Sequence, residues 1–304
     1  MIDEPGLPIG SYWEETAGPV APDPELETPK GEALAVDVAV VGAGYTGLNA
    51  ALRAADLGAS VAVIERHQVG YGASGRNGGF CCIGGSKRAP EDLVAAYGEY
   101  EAQRFVALEV EAIAHVGRLL DRHIISADQA GSGELVLAHK PSALKALRAE
   151  SAFVNARFGL DTQMLTPADL AARGLSAAGV HGGMFTPHGF GLNPLKYVRG
   201  LARAVREADQ SIFGNSPVLD IMPEAGRWRV ETPKGRLLAR RVILAGNGYL
   251  DEDLLPWLEG RLLPVLSNVM VTRELTREEQ LSQGWTSPVM SSDSRTLLHY
   301  FRLL

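Results

Sequence analysis

Residues 38–65, VAVVGAGYTGLNAALRAADLGASVAVIE, read as a strand, a glycine turn, a helix and a second strand that ends in an acid. Gly42, Gly44 and Gly47 supply the glycines of G-x-G-x-x-G, and Glu65 closes the next apolar run. Each residue type has a physical task in gripping an adenine dinucleotide. Gly42 permits the tight turn, Gly44 lets the main chain approach a diphosphate, and Gly47 lets the helix lie close to the strand. The helix N-terminus offers unpaired N–H groups to the phosphates, and Glu65 can accept hydrogen bonds from the adenosine ribose. Strand, glycines, helix, strand and acid stand in the order that separates this unit from an incidental glycine-rich turn.

The bulk of the chain is that of an ordinary globular protein. With 304 residues, 46% hydrophobic and 21% charged, it can hold two domains with cores of their own. A net charge of −7 argues against a nucleic-acid surface, and the basic group Lys234, Arg236, Arg240 and Arg241 reads as a solvated strand edge. The two cysteines, Cys81 and Cys82, are adjacent, which suits packing rather than a structural disulfide and points to a reducing compartment. The N-terminus, MIDEPGLPIG, has no basic region followed by an apolar stretch, so no secretory signal is expected. The run from Val38 to Leu52 is too short and too interrupted to span a membrane, and a cytoplasmic location is the expectation. The seven histidines form no H-x-x-x-H pair and the cysteines no C-x-x-C, so no metal site is expected. Ser74 lacks the final glycine of a nucleophile elbow, which removes a serine hydrolase.

Along the chain, residues 1–35 carry prolines at 5, 8, 19, 22, 24 and 29 and read as an extended arm without regular structure, anchored by Tyr12 and Trp13. Pro90, Glu91 and Asp92 begin a helix whose core face would hold Leu93, Tyr97, Tyr100, Leu108, Ile113, Val116 and Leu120, with Gly98 a bend or break. Glu134 to His139 reads as a strand, Pro141 to Phe158 as a helix, and Thr166 as the N-cap of another. Asn193 and Pro194 start a helix with Leu195, Val198, Leu201, Ala202 and Val205 on one face. Short strands are expected at Pro217–Ile221, Arg227–Glu231, Arg236–Ala239 and Arg241–Ala245, the last running into the Gly246-Asn247-Gly248 turn. Leu263 to Arg273 reads as a further β-rich run, and Asp251 as part of a solvated helix cap.

The first motif alone does not separate nicotinamide from flavin cofactors. A second glycine cluster, GYGASGRNGGFCCIGG from residue 70, does, because Ser74-Gly75-Arg76-Asn77-Gly78-Gly79 offers backbone N–H groups and a guanidinium suited to a diphosphate and to the edge of a flavin ring. Here the sequence resembles the D-amino acid oxidase-like family of FAD-dependent oxidoreductases. The pairing of SYWEET near the start with GASGRNGG is similar to its gamma-glutamylputrescine oxidoreductase branch. The resemblance runs from about Ser11 to the chain end, through HGFGLNPLKYVRGLARA, RWRVETPKGRLLARRVILAGNGYL and LLHYFRLL.

What the resemblance implies is an α/β protein with a Rossmann-like FAD-binding domain and a second, β-rich α+β substrate domain. The arm would take 1–35, the FAD-binding domain 36–122 and 186–250, and the substrate domain 123–185 and 251–304. It implies Gly42, Ala43, Gly44, Thr46 and Gly47 at the diphosphate, Glu65 and Arg66 at the adenosine, and Ala73, Ser74, Arg76, Asn77 and Gly78 near the phosphates and flavin. Val218 would touch the adenine, and Ala245 and Gly246 would form a later turn beside the cofactor. The implied chemistry is hydride removal from the carbon beside an amine to flavin, with hydrolysis of the imine and reoxidation by oxygen or another acceptor. No catalytic base is implied. His299 and Tyr300 are candidates for lining the substrate pocket, and His188 reads as a turn residue. The apolar end LLHYFRLL suggests a chain cut short before the last strand of the family's flavin pocket. The alternatives are a nicotinamide-dependent dehydrogenase, carried by the first motif, and a catalytically incomplete flavin-binding fragment, carried by that end.

Overall fold

The structure, a computed structural model, describes residues 10–86, 88–265 and 267–304. Expectations for residues 1–9, including Pro5 and Pro8 of the arm, lie outside the described residues. The chain divides into two compact units. One comprises Met1–Asn77, Arg122–Ala127 and Asn193–Met270, and the other Gly78–Asp121, Asp128–Leu192 and Val271–Leu304.

In the first unit, with elements numbered along the whole chain, β1 (Leu34–Val41), β2 (Val61–Ile64), β8 (Ser211–Phe213), β9 (Asp220–Glu224), β10 (Arg227–Glu231) and β11 (Arg236–Leu244) form a sheet in the order β8-β2-β1-β11-β10-β9. The first four strands of that order are parallel, and β10 and β9 continue antiparallel. Because β2 and the second half of β1 are buried, their sequence is an unbroken run of Val, Ala and Ile rather than an alternation. α2 (Tyr45–Asp56) connects β1 to β2 and buries Gly47, Leu48, Ala51 and Leu52, one helical face. Beside it lies α7 (Pro194–Glu207), whose N-cap Asn193 accepts hydrogen bonds from the N–H groups of Leu195 and Lys196. Pro223 sits in β9, the edge strand, where a missing N–H interrupts no ladder on the open side. Leu26, Ile64, Val230 and Leu237 are central to the core.

The arm contains a helix, contrary to the reading of residues 1–35 as irregular. α1 (Tyr12–Ala17) forms because Ser11 and Glu14 make a reciprocal capping box and Trp13 is buried. The prolines that suggested disorder lie outside these six residues. Two expected strands, Arg236–Ala239 and Arg241–Ala245, are one continuous strand, β11, since β1 pairs along its length. The strand expected at Pro217–Ile221 begins only at Asp220, so Val218 precedes it. Residues 263–265 and 267–273 form no strand. Pro264 lacks a donor, and Leu263, Val265 and Met270 are 87%, 82% and 93% exposed, with no neighbouring strand to cover them.

In the second unit, β4 (Glu134–Leu137), β5 (Gln163–Leu165), β6 (Gly183–Thr186), β12 (Met290–Asp293) and β13 (Tyr300–Phe301) form a sheet ordered β13-β12-β4-β6-β5. β3 (Phe80–Cys81) pairs separately with β7 (Phe190–Gly191). The helices are α3 (Pro90–Tyr97), α4 (Glu99–Arg122), α5 (Pro141–Phe158), α6 (Pro167–Ala172) and α8 (Arg277–Gln283). Gly98, at φ 82°, separates α3 from α4. α6 starts with a capping box between Thr166 and Asp169. The division differs from the boundaries read in the sequence: residues 78–121 belong with the second unit, 186–192 join them, and 251–270 lie in the first. The reason for the largest difference is that Val106 of α4 packs with Val154 of α5 and Leu160, so this helix shares their core. Tyr97, Tyr100 and Leu108, expected on the core face, are exposed; α4 turns Ala102 and Val106 inward, which points Tyr100 and Leu108 outward.

A Cβ on Gly47 would lie 1.9 Å from the Gly42 carbonyl oxygen, a backbone atom that α2 cannot move aside. Gly47→Ala should therefore destabilise the chain by about 3 kcal/mol, read as a lower urea midpoint with an unchanged m-value.

Candidate functional site

The first unit carries a cleft at the C-terminal ends of β1, β2 and β11, enclosing about 840 Å³ including its open mouth. Its floor is the turn after β1. Gly42 has φ 106°, and a Cβ there would stand 2.7 Å from the Ala245 carbonyl oxygen, so a side chain is excluded on both conformational and steric grounds. The Ala245 N–H donates to the Val41 carbonyl (2.8 Å) and the Gly42 N–H to the Ile64 carbonyl (2.8 Å), tying the three strand ends together.

Glu65 is held with its carboxylate over that turn. One oxygen accepts from the Ala43 N–H (2.8 Å) and the other from the His67 N–H (3.1 Å). Each oxygen retains a lone pair for a hydroxyl donor. The next residue, Arg66, pairs with Asp251 at 2.5 Å. Asp251 is thus an ion-pair partner beside the cleft and makes no side-chain cap, contrary to the sequence reading. The Ser74 hydroxyl accepts from the Tyr45 N–H (3.1 Å), which opens α2, and a Cβ on Gly44 would meet only Ser74. Arg76 lies 4.2 Å from the Tyr71 ring centre, and one of its terminal nitrogens is buried without a hydrogen-bond partner.

Of the residues singled out in the sequence, Gly42, Ala43, Gly44, Glu65, Arg66, Ala73, Ser74, Val218, Ala245 and Gly246 line this one cleft. Thr46 and Gly47 lie behind it in the first turn of α2, and Arg76 and Asn77 in the adjoining loop. Gly78 falls in the second unit. The sequence reading missed His67, Tyr71, Ser216, Tyr249 and Leu254 among the lining residues. Tyr249 follows the recognised glycine turn and so had a signal; Ser216 stands in no motif and had none.

In the second unit, His299 and Tyr300 take separate roles. His299 is bonded through Nδ1 to Asp293 (2.9 Å), and the Tyr300 ring packs edge-on against Phe80. His188 stands in the loop before β7, just after the bend at Pro187. Burial raises the Asp293 pKa, but hydrogen bonds from His299 and Arg295 outweigh it and bring the carboxyl down to about 2. A separate cavity of about 830 Å³, including open space, is lined by Glu109, Glu134 and Glu150 with Val106, Val136 and Phe158 among its apolar walls. Burial pushes Glu134 and Glu150 up, with Glu91 adding to the shift at Glu150. Burial also pushes the Cys81 thiol up to about 11 and raises Cys82 further, so both stay protonated at neutral pH. No group of three or more His, Cys, Asp or Glu side chains among the described residues is arranged to hold a metal.

The parallel sheet, the glycine turn and the acid at the end of β2 define a Rossmann-like α/β protein. The FAD dependent oxidoreductase (DAO) family matches residues 37–303, and the chain belongs to it. It is 32% identical over 277 residues to the "Probable oxidoreductase OrdL" of Haemophilus influenzae, covering 88% of this chain and 62% of that one. It is 30% identical over 294 residues to the gamma-glutamylputrescine oxidoreductase of Escherichia coli, covering 96% and 67%. The chain thus spans only about two thirds, or slightly less, of these curated relatives. Among solved structures, glycine oxidase from Geobacillus kaustophilus is similar with TM-score 0.58 at 23% identity, over 71% of this chain and 56% of that one. L-proline dehydrogenase from P. horikoshii is similar with TM-score 0.62 at 17% identity, over 92% and 68%. Both likenesses speak for the fold.

FAD, the family's cofactor, fits the residues present. A bare-backbone turn where a Cβ would collide, a carboxylate with free lone pairs and a buried unpaired guanidinium nitrogen nearby are what a diphosphate, a ribose and an electron-rich ring edge each require. No helix among the described residues is long and apolar enough to cross a membrane.

The raised pKa of Glu150 has a stability consequence. Its native state holds the proton more tightly than the unfolded chain, so this contribution is present below the ordinary value of 4.5 and is lost as pH rises through the higher native value. Glu150→Gln should melt above the wild type at about pH 8, with the difference shrinking toward acid pH in paired thermal scans.

Proposed function

We propose that this chain binds FAD in the first-unit cleft and serves an oxidoreductase that acts on the carbon beside an amine nitrogen. The observation that carries the reading is the meeting of the Gly42–Gly44 turn, the Glu65 carboxylate and the Ala245–Gly246 turn in one cleft. In this reading the N–H groups at the start of α2 hold the diphosphate, with Thr46 and Gly47 completing that turn. Glu65 and Arg66 hold the adenosine, and Val218 meets the adenine. Ala73, Ser74, Arg76, Asn77 and Gly78 serve the phosphate and flavin side.

Bound FAD would supply a two-electron acceptor for a hydride from the substrate carbon. The protein's part is to bind both partners, orient the carbon–hydrogen bond and exclude water. The substrate would leave as an imine that water hydrolyses, and oxygen or another acceptor would take the electrons. An aliphatic amine or polyamine derivative is the favoured substrate class, in keeping with the name of the Escherichia coli relative.

Titration of the purified chain with FAD, followed by anaerobic addition of polyamines, sarcosine, glycine and D-amino acids, tests both halves. Saturable flavin binding and bleaching of the flavin by an amine are expected. A chain that refuses FAD overturns the cofactor assignment, and bleaching by none of the amines overturns the substrate class. Gly44→Val should weaken FAD binding at least a hundredfold by filling the space a diphosphate needs, and unchanged flavin retention would refute the assigned turn.

A further inference from the structure

The loop that carries Ala73 to Asn77 is built from segments with little intrinsic preference for one shape. It follows Gly70 and Gly72, includes Gly75 and runs into Gly78 and Gly79. Its only regular structure is a three-residue 3₁₀ turn, Ala73–Gly75. Backbone this permissive loses much entropy on being fixed, so outside contacts must hold it. One comes from an element that the sequence marked as irregular.

Trp13 of α1 is 5% exposed, and its indole N–H donates to the Asn77 carbonyl at 3.0 Å across 64 residues of sequence. The Asn77 side-chain amide donates to the carbonyls of Ala73 (3.1 Å) and Ser74 (3.2 Å), closing the loop on itself. The Ser74 hydroxyl accepts from the Tyr45 N–H, the first of α2, and so reaches the cleft floor. α1 is itself tied to α7: Asn193 Nδ2 donates to Thr16 Oγ1 (3.1 Å) and the Arg199 guanidinium to the Gly18 carbonyl (2.6 Å). Every member of this chain of contacts lies in the first unit.

We infer that Trp13 is a positioning residue for the cofactor loop, its indole N–H holding Asn77 and thereby the shape in which Ser74 to Asn77 faces the flavin side of the cleft. The inference rests on the FAD reading and extends it to the N-terminal arm. Trp13 is not among the residues that line the cleft, and it acts through Asn77. Its ring supplies buried area that Phe could largely replace, but the N–H has no equivalent in Phe. Removal of that donor takes one long-range hydrogen bond from Asn77 and loosens the loop.

The test is Trp13→Phe in the full chain, with three measurements. Amide hydrogen exchange without any cofactor should be about tenfold faster in a peptide covering 72–79 and unchanged in one covering 38–56. FAD should bind about tenfold more weakly, while ADP, which carries only the adenosine diphosphate half, should bind within about twofold of wild type. Unchanged exchange in 72–79 overturns the inference, as does an equal loss of FAD and ADP affinity, which marks a general structural role. Wild-type chain that takes up neither FAD nor ADP overturns the parent reading instead, and the exchange result still decides whether Trp13 anchors the loop. Should Trp13→Phe fail to fold, Thr16→Val, which loosens α1 from α7 without touching the indole, should raise exchange in the same peptide; no change there overturns the inference.

Discussion

Main-chain crowding at the end of β1 is the constraint on which the cleft depends. Here the carbonyl of Gly42 approaches α2 so closely that Gly47 has no room for a Cβ, and Gly42 in turn abuts the Ala245 carbonyl at the end of β11. Three strand ends and the start of a helix share a volume that a single side chain would fill. The crowding therefore exposes peptide groups where another protein surface would present side chains. Backbone N–H groups at a helix start are the donors that an anion site uses, which is what the FAD reading asks of this turn.

The rest of the site is attached to that turn by hydrogen bonds instead of apolar packing. Glu65 reaches back to Ala43, Ser74 caps the first N–H of α2, and Asn77 closes the loop that bears Ser74. Such bonds are individually weak, about 1 kcal/mol each net, yet they are directional, and a glycine-rich loop needs direction more than it needs adhesion. Apolar packing takes over one layer further out, where Leu26, Val230 and Leu237 hold the sheet and α1 lies on α7.

Local chemistry was legible in most places where it acts over a few residues, although the Ser11–Glu14 capping box of α1 was masked by the surrounding prolines. The strand–turn–helix–strand run from Val38 to Glu65, the Asn193 cap and the Thr166 capping box are each specified by neighbours within one turn of chain. Many of the cleft-lining residues singled out in the sequence lie in the two glycine clusters, with Arg66, Val218, Ala245 and Gly246 carried by family resemblance. Most of what else escaped was set by partners far away. Trp13 sits in a proline-rich arm, and its partner is Asn77. Asp251 looked like a cap, and its partner is Arg66. The β-rich composition of 263–273 gives no strand among its described residues, 263–265 and 267–273, since propensity without a partner makes no sheet.

The sequence by itself determined the glycine turn after β1, because the positive φ at Gly42, the clash that a Cβ on Gly47 would make with the Gly42 carbonyl and the change from strand to helix periodicity are properties of nearby residues. Only the tertiary structure decided which distant groups complete it: Ser216 and Tyr249 in the cleft, Asp251 against Arg66, and Trp13 beneath the Asn77 loop. The physical reason is that a hydrogen bond or ion pair spanning 64 or 185 residues leaves no periodic trace in the chain. Its geometry exists only once the sheet has brought the two ends together.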